Sequence, residues 1–353
     1  MSRFLSGKLS KLEAYVPGEQ PRDRRYIKLN TNESPYPPPQ CVIDAVGMAE
    51  MEALRLYSDP ECKVLKEGIA EEYGVLPENV FISNGSDEIL NFAFMAYGVR
   101  GAVFPDITYG FYSVFADLYG IDAETVPLRE DFTVDTEAFC GRNSLVVIAN
   151  PNAPTGIALT PEEVEKIIAS NPDGVVIIDE AYVDFGAESV YKLYEKYDNL
   201  LTVRTYSKSR SMAGARLGFA FADRKIIEDL EKIKYSTNPY NINRLTQAAG
   251  AAALKDSGYF RKNCEKIAET REYTAKCLKK LGFTLTPSAA NFLFAKSVDI
   301  GGEELYARLR EKGILIRHFT NERIKDFNRI TVGSRDEMDA FLRAVCEITG
   351  GKL

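Results

Sequence analysis

Six short apolar runs recur between residues 80 and 222, at 80–83, 101–104, 145–149, 175–179, 201–205 and 217–222, with helix-like segments filling most of the gaps. This alternation is the strongest constraint on the fold, because strands joined by helical crossovers line up in a mostly parallel sheet flanked by helices. One crossover is marked in detail. Thr-Pro-Glu-Glu at 160–163 is a capping box with proline at the first helical position, and it opens a helix through residue 168. After Asn243 the pattern changes to long helices, 244–255 and 259–280, and then to strands mixed with helices, the strands including 313–319 and 327–334. The prediction is an α/β chain in which a large domain, 36–255, carries the mostly parallel sheet and a small α+β domain spans 256–353. The segment 1–35 is expected to join the small domain, and the proline cluster at 34–39 to form the stiff linker back to the large one.

Open α/β sheets bind ligands at the carboxyl ends of their strands. Lys208 lies just past one apolar run, Asp179 closes another, and Tyr182 follows three residues later. This set meets the demands of pyridoxal phosphate, which needs an amine for its aldehyde, a carboxylate for its pyridine nitrogen and anion-binding groups for its phosphate. Lys208 would condense with the aldehyde and, once displaced by substrate, serve as the base. Asp179 would keep the ring nitrogen protonated, so that the ring can accept electrons. Tyr182 either donates to the phenolic oxygen of the cofactor or is a half-buried aromatic after a strand.

Two sets of phosphate ligands are available. In the first, a strand turns through Gly85 into a helix, offering the N–H groups of Gly85, Ser86 and Asp87, with the Asp87 side chain free to cap the turn. Such a junction is ordinary in α/β proteins and gains meaning here from Lys208. In the second, Thr205, Ser207 and Arg216 bracket the lysine, and the small residues around Arg216 argue against a solvated surface arginine.

Other chemistries are disfavoured. A formal charge of −7 with no basic stripe leaves no footprint for nucleic acid, and Arg-Asp-Arg-Arg at 22–25 reads as a solvated loop. No window approaches the roughly 18 apolar residues of a membrane span, and residues 1–8 lack the apolar core of a secretion signal, so a cytoplasmic protein is expected. Cys41, Cys62, Cys140, Cys264, Cys277 and Cys346 form no Cys-x-x-Cys pair and read as reduced, buried thiols; no metal site is expected. A single histidine, His318, leaves no Ser-His-Asp triad, and its place beside Arg317 allows it a minor substrate role. Arg323 and Arg335 read as surface residues.

The motifs on which a resemblance rests are Tyr-Val-Pro-Gly-Glu-Gln at 15–20, Leu-Asn-Thr-Asn-Glu-Ser-Pro-Tyr at 29–36, Arg-Leu-Tyr-Ser-Asp-Pro at 55–60 and Pro-Asp-Ile-Thr-Tyr-Gly-Phe-Tyr at 105–112. With Lys208, Asp179 and Arg216, they make nearly the whole chain resemble the fold-type I pyridoxal-phosphate aminotransferases, and within these the histidinol-phosphate aminotransferase family. The resemblance implies a transaminase that interconverts histidinol phosphate and imidazole acetol phosphate with 2-oxoglutarate and glutamate. It further implies that Tyr109 stacks on the pyridine ring and that Arg329 binds the substrate phosphate or carboxylate. Tyr15 and Arg317 would serve the phosphate and imidazole ends, Arg317 being as readily a solvent-facing strand residue. Where the superfamily carries an asparagine for the phenolic oxygen this chain has Ala153, so Asn152 is the expected contact, turned by a cis peptide before Pro154, with Asn150 as the second choice. The resemblance also implies a homodimer with shared active sites, in which Tyr57 reaches the cofactor phosphate of the other subunit; a core tyrosine on a loop is its other reading. An aromatic amino-acid aminotransferase, or a decarboxylase of a phosphorylated amino acid, would share the same lysine, aspartate and arginine. A non-enzymatic regulator on this fold would need a lost lysine or an added DNA-binding module, and the sequence has neither.

Overall fold

A computed structural model describes residues 4–6, 9, 12–13 and 15–352, so the stretch 1–8 lies mostly outside the described residues. Its strands are β1 (Ile27–Lys28), β2 (Val80–Ser83), β3 (Ala102–Pro105), β4 (Ala123–Val126), β5 (Leu145–Ala149), β6 (Val176–Asp179), β7 (Leu200–Thr205), β8 (Gly218–Ala222), β9 (Phe283–Leu285), β10 (Phe292–Ser297), β11 (Ile314–Leu315), β12 (Arg317–His318) and β13 (Asn328–Thr331). Strands β2 to β8 form one sheet in the order β2-β8-β7-β6-β5-β3-β4. Every neighbouring pair is parallel except those made by β8, which runs against both β2 and β7. The six runs read from the sequence are six of the sheet's seven strands, all but β4, each within one residue of its observed bounds.

These six strands are buried along their whole length and mostly apolar because both faces are covered. In β5, Leu145, Val147 and Ala149 enter one core, while Val146 and Ile148 enter another on the opposite face. The sequence reading missed β4, an edge strand whose first three residues are exposed and which therefore carries little apolar signal. The crossover helix Pro161–Ala169 starts as read: Thr160 accepts from the Glu163 N–H and Glu163 accepts from the Thr160 N–H.

A second sheet, β12-β13-β10-β9, is antiparallel throughout and packs with the helices Ser257–Lys280, Gly302–Glu311 and Arg335–Thr349 around its own core. The segment read as one strand at 313–319 is instead two. Buried Ile316 separates β11, which pairs with β1, from β12, which joins the antiparallel sheet. The chain after β1 stays against this layer: Thr331 N–H donates to the Leu29 carbonyl, Thr331 Oγ1 accepts from the Asn32 N–H, and Asn291 donates to the Asn32 carbonyl. Residues 29–33 are thereby strung between the two sheets. Arg323, exposed as read, also bridges elements, donating to Asp106 after β3 and to the Leu128 carbonyl.

Removing the Thr160 hydroxyl leaves an N–H of the first helical turn without its partner. Thr160→Ala should lower stability by about 1 kcal/mol, read as a lower urea midpoint at unchanged slope.

Candidate active site

The carboxyl ends of β2, β5, β6 and β7 converge on a cavity of about 400 Å³. Lys208 enters it from the loop between β7 and β8. That loop is fixed by its own backbone, Tyr206 N–H to the Leu217 carbonyl and Met212 N–H to the Tyr206 carbonyl, and by the residues flanking the lysine. Ser209 donates to Asp184 at 2.5 Å and the Arg210 guanidinium stacks 4.0 Å from the Phe260 ring centroid, so both neighbours are anchored away from the cavity. Lys208 Nζ donates to the Thr31 carbonyl at 3.2 Å and lies 5.8 Å from the centre of the Tyr182 ring.

Asp179, the last residue of β6, faces the same cavity. Its hydrogen bonds come from neutral donors, the Tyr112 hydroxyl at 2.9 Å and the Ala181 N–H at 3.1 Å. Burial is the main cause that pushes its carboxyl up to about 6; the two hydrogen bonds pull it back, the charge of Asp87 pushes it further, and the more distant charge of Lys208 offsets part of this. A carboxylate in this state favours a cation placed against it. Tyr182 also lines the cavity, with its ring edge-on to Phe292. Asn32 Nδ2 donates to its oxygen at 3.0 Å, which leaves the phenolic proton for another acceptor.

The anion-binding end is built from a close approach. Gly85 caps the helix Ser86–Tyr97 at φ 76°, and a Cβ there would fall 2.4 Å from Arg216 Nη2. Only glycine lets the guanidinium lie over this helix start, where backbone N–H groups point outward. Gly218 touches the same turn, since a Cβ on it would lie 2.5 Å from the Ser86 nitrogen. Ser86, Thr205 and Ser207 line the cavity beside Arg216, and the last two share a hydrogen bond of 3.0 Å. Asp87 does not cap the helix as the sequence suggested. It accepts from the Tyr109 hydroxyl at 2.9 Å and from Arg216 at 3.3 Å, while Glu88 accepts from the Asn84 N–H and closes the turn. Tyr109 lines the cavity too, and burial, then Asp87, raises its phenol well above the ordinary value.

Other expected residues lie apart from these. The peptide before Pro154 is cis, as is that before Pro151. Asn152 nevertheless does not line the cavity: its amide donates to the Ile107 carbonyl and Thr155 and accepts from Thr108. Asn150 bonds the backbone of Leu159 in both directions. Ala153 is the residue of this loop that faces the cavity. Tyr57 is 78% exposed and stacks on Tyr240, outside the cavity. Tyr15 stacks on Phe111 and is tilted against Tyr109, and Arg317 donates to the carbonyls of Val16 and Pro17. Arg329 is partly buried and gives one hydrogen bond, to the Asn30 carbonyl. Its Nε is shielded from solvent without a partner, and no carboxylate among the described residues pairs with it. Burial weakens its hold on its proton, while the nearby Tyr182 and Tyr15 strengthen it.

Sequence reasoning passed over Tyr112, Asn32, Thr31 and Glu33, which touch or line this site. A polar run, Asn-Thr-Asn-Glu at 30–33, held between Leu29 and a proline cluster was the available signal.

The donor set suits pyridoxal phosphate: a buried carboxylate short of a cation, a primary amine in the same cavity, and a glycine-floored helix start under an arginine. The charge on Asp179 also has a cost that can be measured. The folded protein holds this proton more tightly than the unfolded chain, whose carboxyl titrates near 3.8, so the cost is absent below about pH 4 and complete above about pH 6. Cofactor-free Asp179→Asn should gain stability over the cofactor-free parent as pH rises through that window, by up to about 3 kcal/mol. Parallel stability curves for the two proteins across pH 4–7 would rule this out.

The family described as aminotransferase class I and II matches residues 24–345. A histidinol-phosphate aminotransferase of Brachyspira hyodysenteriae is 50% identical over 98% of this chain and 98% of its own length, and one of Clostridium acetobutylicum is 47% identical over 98% and 99%. Among solved structures, a histidinol-phosphate aminotransferase of Sinorhizobium meliloti in complex with pyridoxal-5'-phosphate superposes with a TM-score of 0.90 at 26% identity, covering 99% of this chain and 98% of that one. With its sheet order, its cavity lysine and this full-length similarity, the chain belongs to the class I and II aminotransferases.

Proposed function

We propose that this protein is a pyridoxal-phosphate transaminase that exchanges the amino group between histidinol phosphate and 2-oxoglutarate, giving imidazole acetol phosphate and glutamate in histidine biosynthesis. The observation that carries the reading is the pairing of Lys208 with the cation-deficient Asp179 in one cavity, in a chain whose full-length relatives bear that substrate in their names. When bound, the cofactor supplies the aldehyde that takes up the amino group and the ring that accepts the electrons of Cα. Asp179 would hold a proton at the ring nitrogen. Tyr182, accepting from Asn32, would donate a hydrogen bond to the phenolic oxygen, a task that falls to it because Ala153 has no amide and Asn152 is committed elsewhere. Lys208 Nζ would be the base that takes the Cα proton.

Arg216, Ser86, Thr205 and Ser207 hold the cofactor phosphate. Arg329, with an unsatisfied Nε, takes the phosphate of histidinol phosphate and, in the other half of the cycle, a carboxylate of glutamate. One guanidinium serves both because the two anions occupy the site in turn.

The protein is further read as a cytoplasmic homodimer. Ile43, Met48, Met51, Leu54, Leu56 and Tyr57 are all at least 49% exposed within one short stretch of chain, and exposed apolar residues grouped in this way suit a protein–protein contact. A second copy covering it would bring Tyr57 to the neighbouring active site. All six cysteines are free, and no helix among the described residues is long and apolar enough to cross a membrane. The chain is also read as divided at residues 35 and 255; the seven-stranded sheet lying within 80–222, the four-stranded one within 283–331 and the pairing of β1 with β11 support this.

Two measurements test this. Protein loaded with pyridoxal phosphate and given histidinol phosphate without an oxo acid should release about one equivalent of imidazole acetol phosphate per subunit and stop, then resume on addition of 2-oxoglutarate. No keto product, with glutamate active as a donor, would reject the substrate and favour an aromatic aminotransferase. Release of carbon dioxide from a phosphorylated amino acid would favour a decarboxylase. For the assembly, the parent should sediment as a dimer, and Leu54→Asp should sediment as a monomer that holds the cofactor more weakly.

A further inference from the structure

Three carboxylates line the cavity, Asp87, Asp179 and Glu33. Asp87 is tied to Arg216 and Tyr109 at the anion-binding end, and Asp179 to Tyr112 at the end of β6. Glu33 has neither attachment. It comes from the strung segment 29–33, and its partners are Lys28 and Thr31, each within 2.8 Å. Thr31 is also the residue whose carbonyl receives the Lys208 amine, so Glu33 stands two positions along the chain from a direct contact of that amine. Burial works against its charge, but the Lys28 and Thr31 hydrogen bonds and the Lys208 charge outweigh it and hold the carboxyl below its ordinary range. A carboxylate has about four acceptor positions, and the three contacts that Lys28 and Thr31 make leave at least one of them open.

The substrate proposed above carries three recognition groups: an amine, a phosphate and an imidazole. The amine goes to the reacting centre beside Lys208, and the phosphate to Arg329. The imidazole has a ring N–H, and its ordinary pKa near 6.5 adds a positive charge on the acid side of neutrality. Its natural complement is an ionised acceptor that the cofactor does not use. We propose that Glu33 is the specificity residue for the imidazole of the substrate, accepting a hydrogen bond from its ring nitrogen and thereby favouring an imidazole over a benzene ring. This rests on the reading of histidinol phosphate as substrate. Lys28 and Thr31 are then positioning residues that fix the carboxylate.

The test compares two phosphorylated amino alcohols that differ only in the ring, histidinol phosphate and phenylalaninol phosphate, in the half-reaction of the cofactor-loaded enzyme. In the parent, kcat/KM should favour histidinol phosphate. In Glu33→Gln the value for histidinol phosphate should fall about 10- to 100-fold, the worth of a hydrogen bond to a charged group, while that for phenylalaninol phosphate falls at least tenfold less. Glu33→Asp should recover part of the preference, which separates recognition from loss of the Lys28 ion pair. Equal losses on both compounds in Glu33→Gln would make Glu33 a structural residue and overturn the proposal. A parent that consumes glutamate but no histidinol phosphate would remove the substrate reading and this inference together, whereas a parent active on histidinol phosphate with equal losses in the variant removes this inference alone. If Glu33→Gln is poorly folded, Lys28→Met, which keeps the carboxylate but not its anchor, should erode the same preference.

Discussion

A carboxylate held inside the protein with neutral hydrogen-bond donors and no cation in direct contact among the described residues, at the end of a central strand, is the constraint around which this molecule is arranged. Asp179 can sit there because β6 is flanked by parallel neighbours on both sides, which bring its last residue to the sheet edge without exposing it. The surrounding groups soften the cost without removing it. Tyr112, itself fully buried, and the Ala181 N–H supply hydrogen bonds but no charge. A site that leaves a buried charge unbalanced is less stable than it could be, and the deficit becomes binding energy when a cation is placed against it.

The second organising element is the strung segment 29–33. Its residues alternate between the two sheets: Leu29, Asn30 and Asn32 bond the antiparallel layer, while Thr31 and Glu33 turn to the cavity. Asn32 also holds Tyr182. Through this one segment, the sheet that carries Arg329 is mechanically joined to the group proposed to donate to the cofactor and to the amine of Lys208. The unpaired guanidinium of Arg329 and the amine of Lys208 are thus both bonded to a shared piece of chain, at the Asn30 and Thr31 carbonyls.

Glycine plays its part at one place where a side chain would be excluded by contact. Gly85 brings the Arg216 guanidinium against the helix start, and Gly218 lets β8 pass behind the same turn. Because β8 is the one reversed strand, the chain leaving Lys208 returns past this turn within ten residues. The hairpin therefore delivers the amine and the arginine to opposite parts of one cavity from a single loop.

The sequence alone determined the central sheet, since apolar runs of strand length are hard to bury in any other way, and it pointed to Lys208, Asp179, Tyr182 and Arg216, which the structure brings to one cavity. It also carried the Gly85 turn and the capping box at Thr160. What it could not carry were relations between distant segments. The β4 edge strand was invisible because exposure removes its apolar signal, and the break at Ile316 because no turn residue interrupts the run from Ile314 to Phe319. Asp87 was misread as a cap because the Tyr109 and Arg216 that claim it come from other elements. Asn152 was expected in the cavity because spacing does not show that Ile107, Thr108 and Thr155 satisfy its amide. Tyr112, Asn32 and Glu33 became visible only in three dimensions: local sequence fixes which groups a chain offers, whereas hydrogen bonds between residues 67 to 299 positions apart fix which of them are already spoken for.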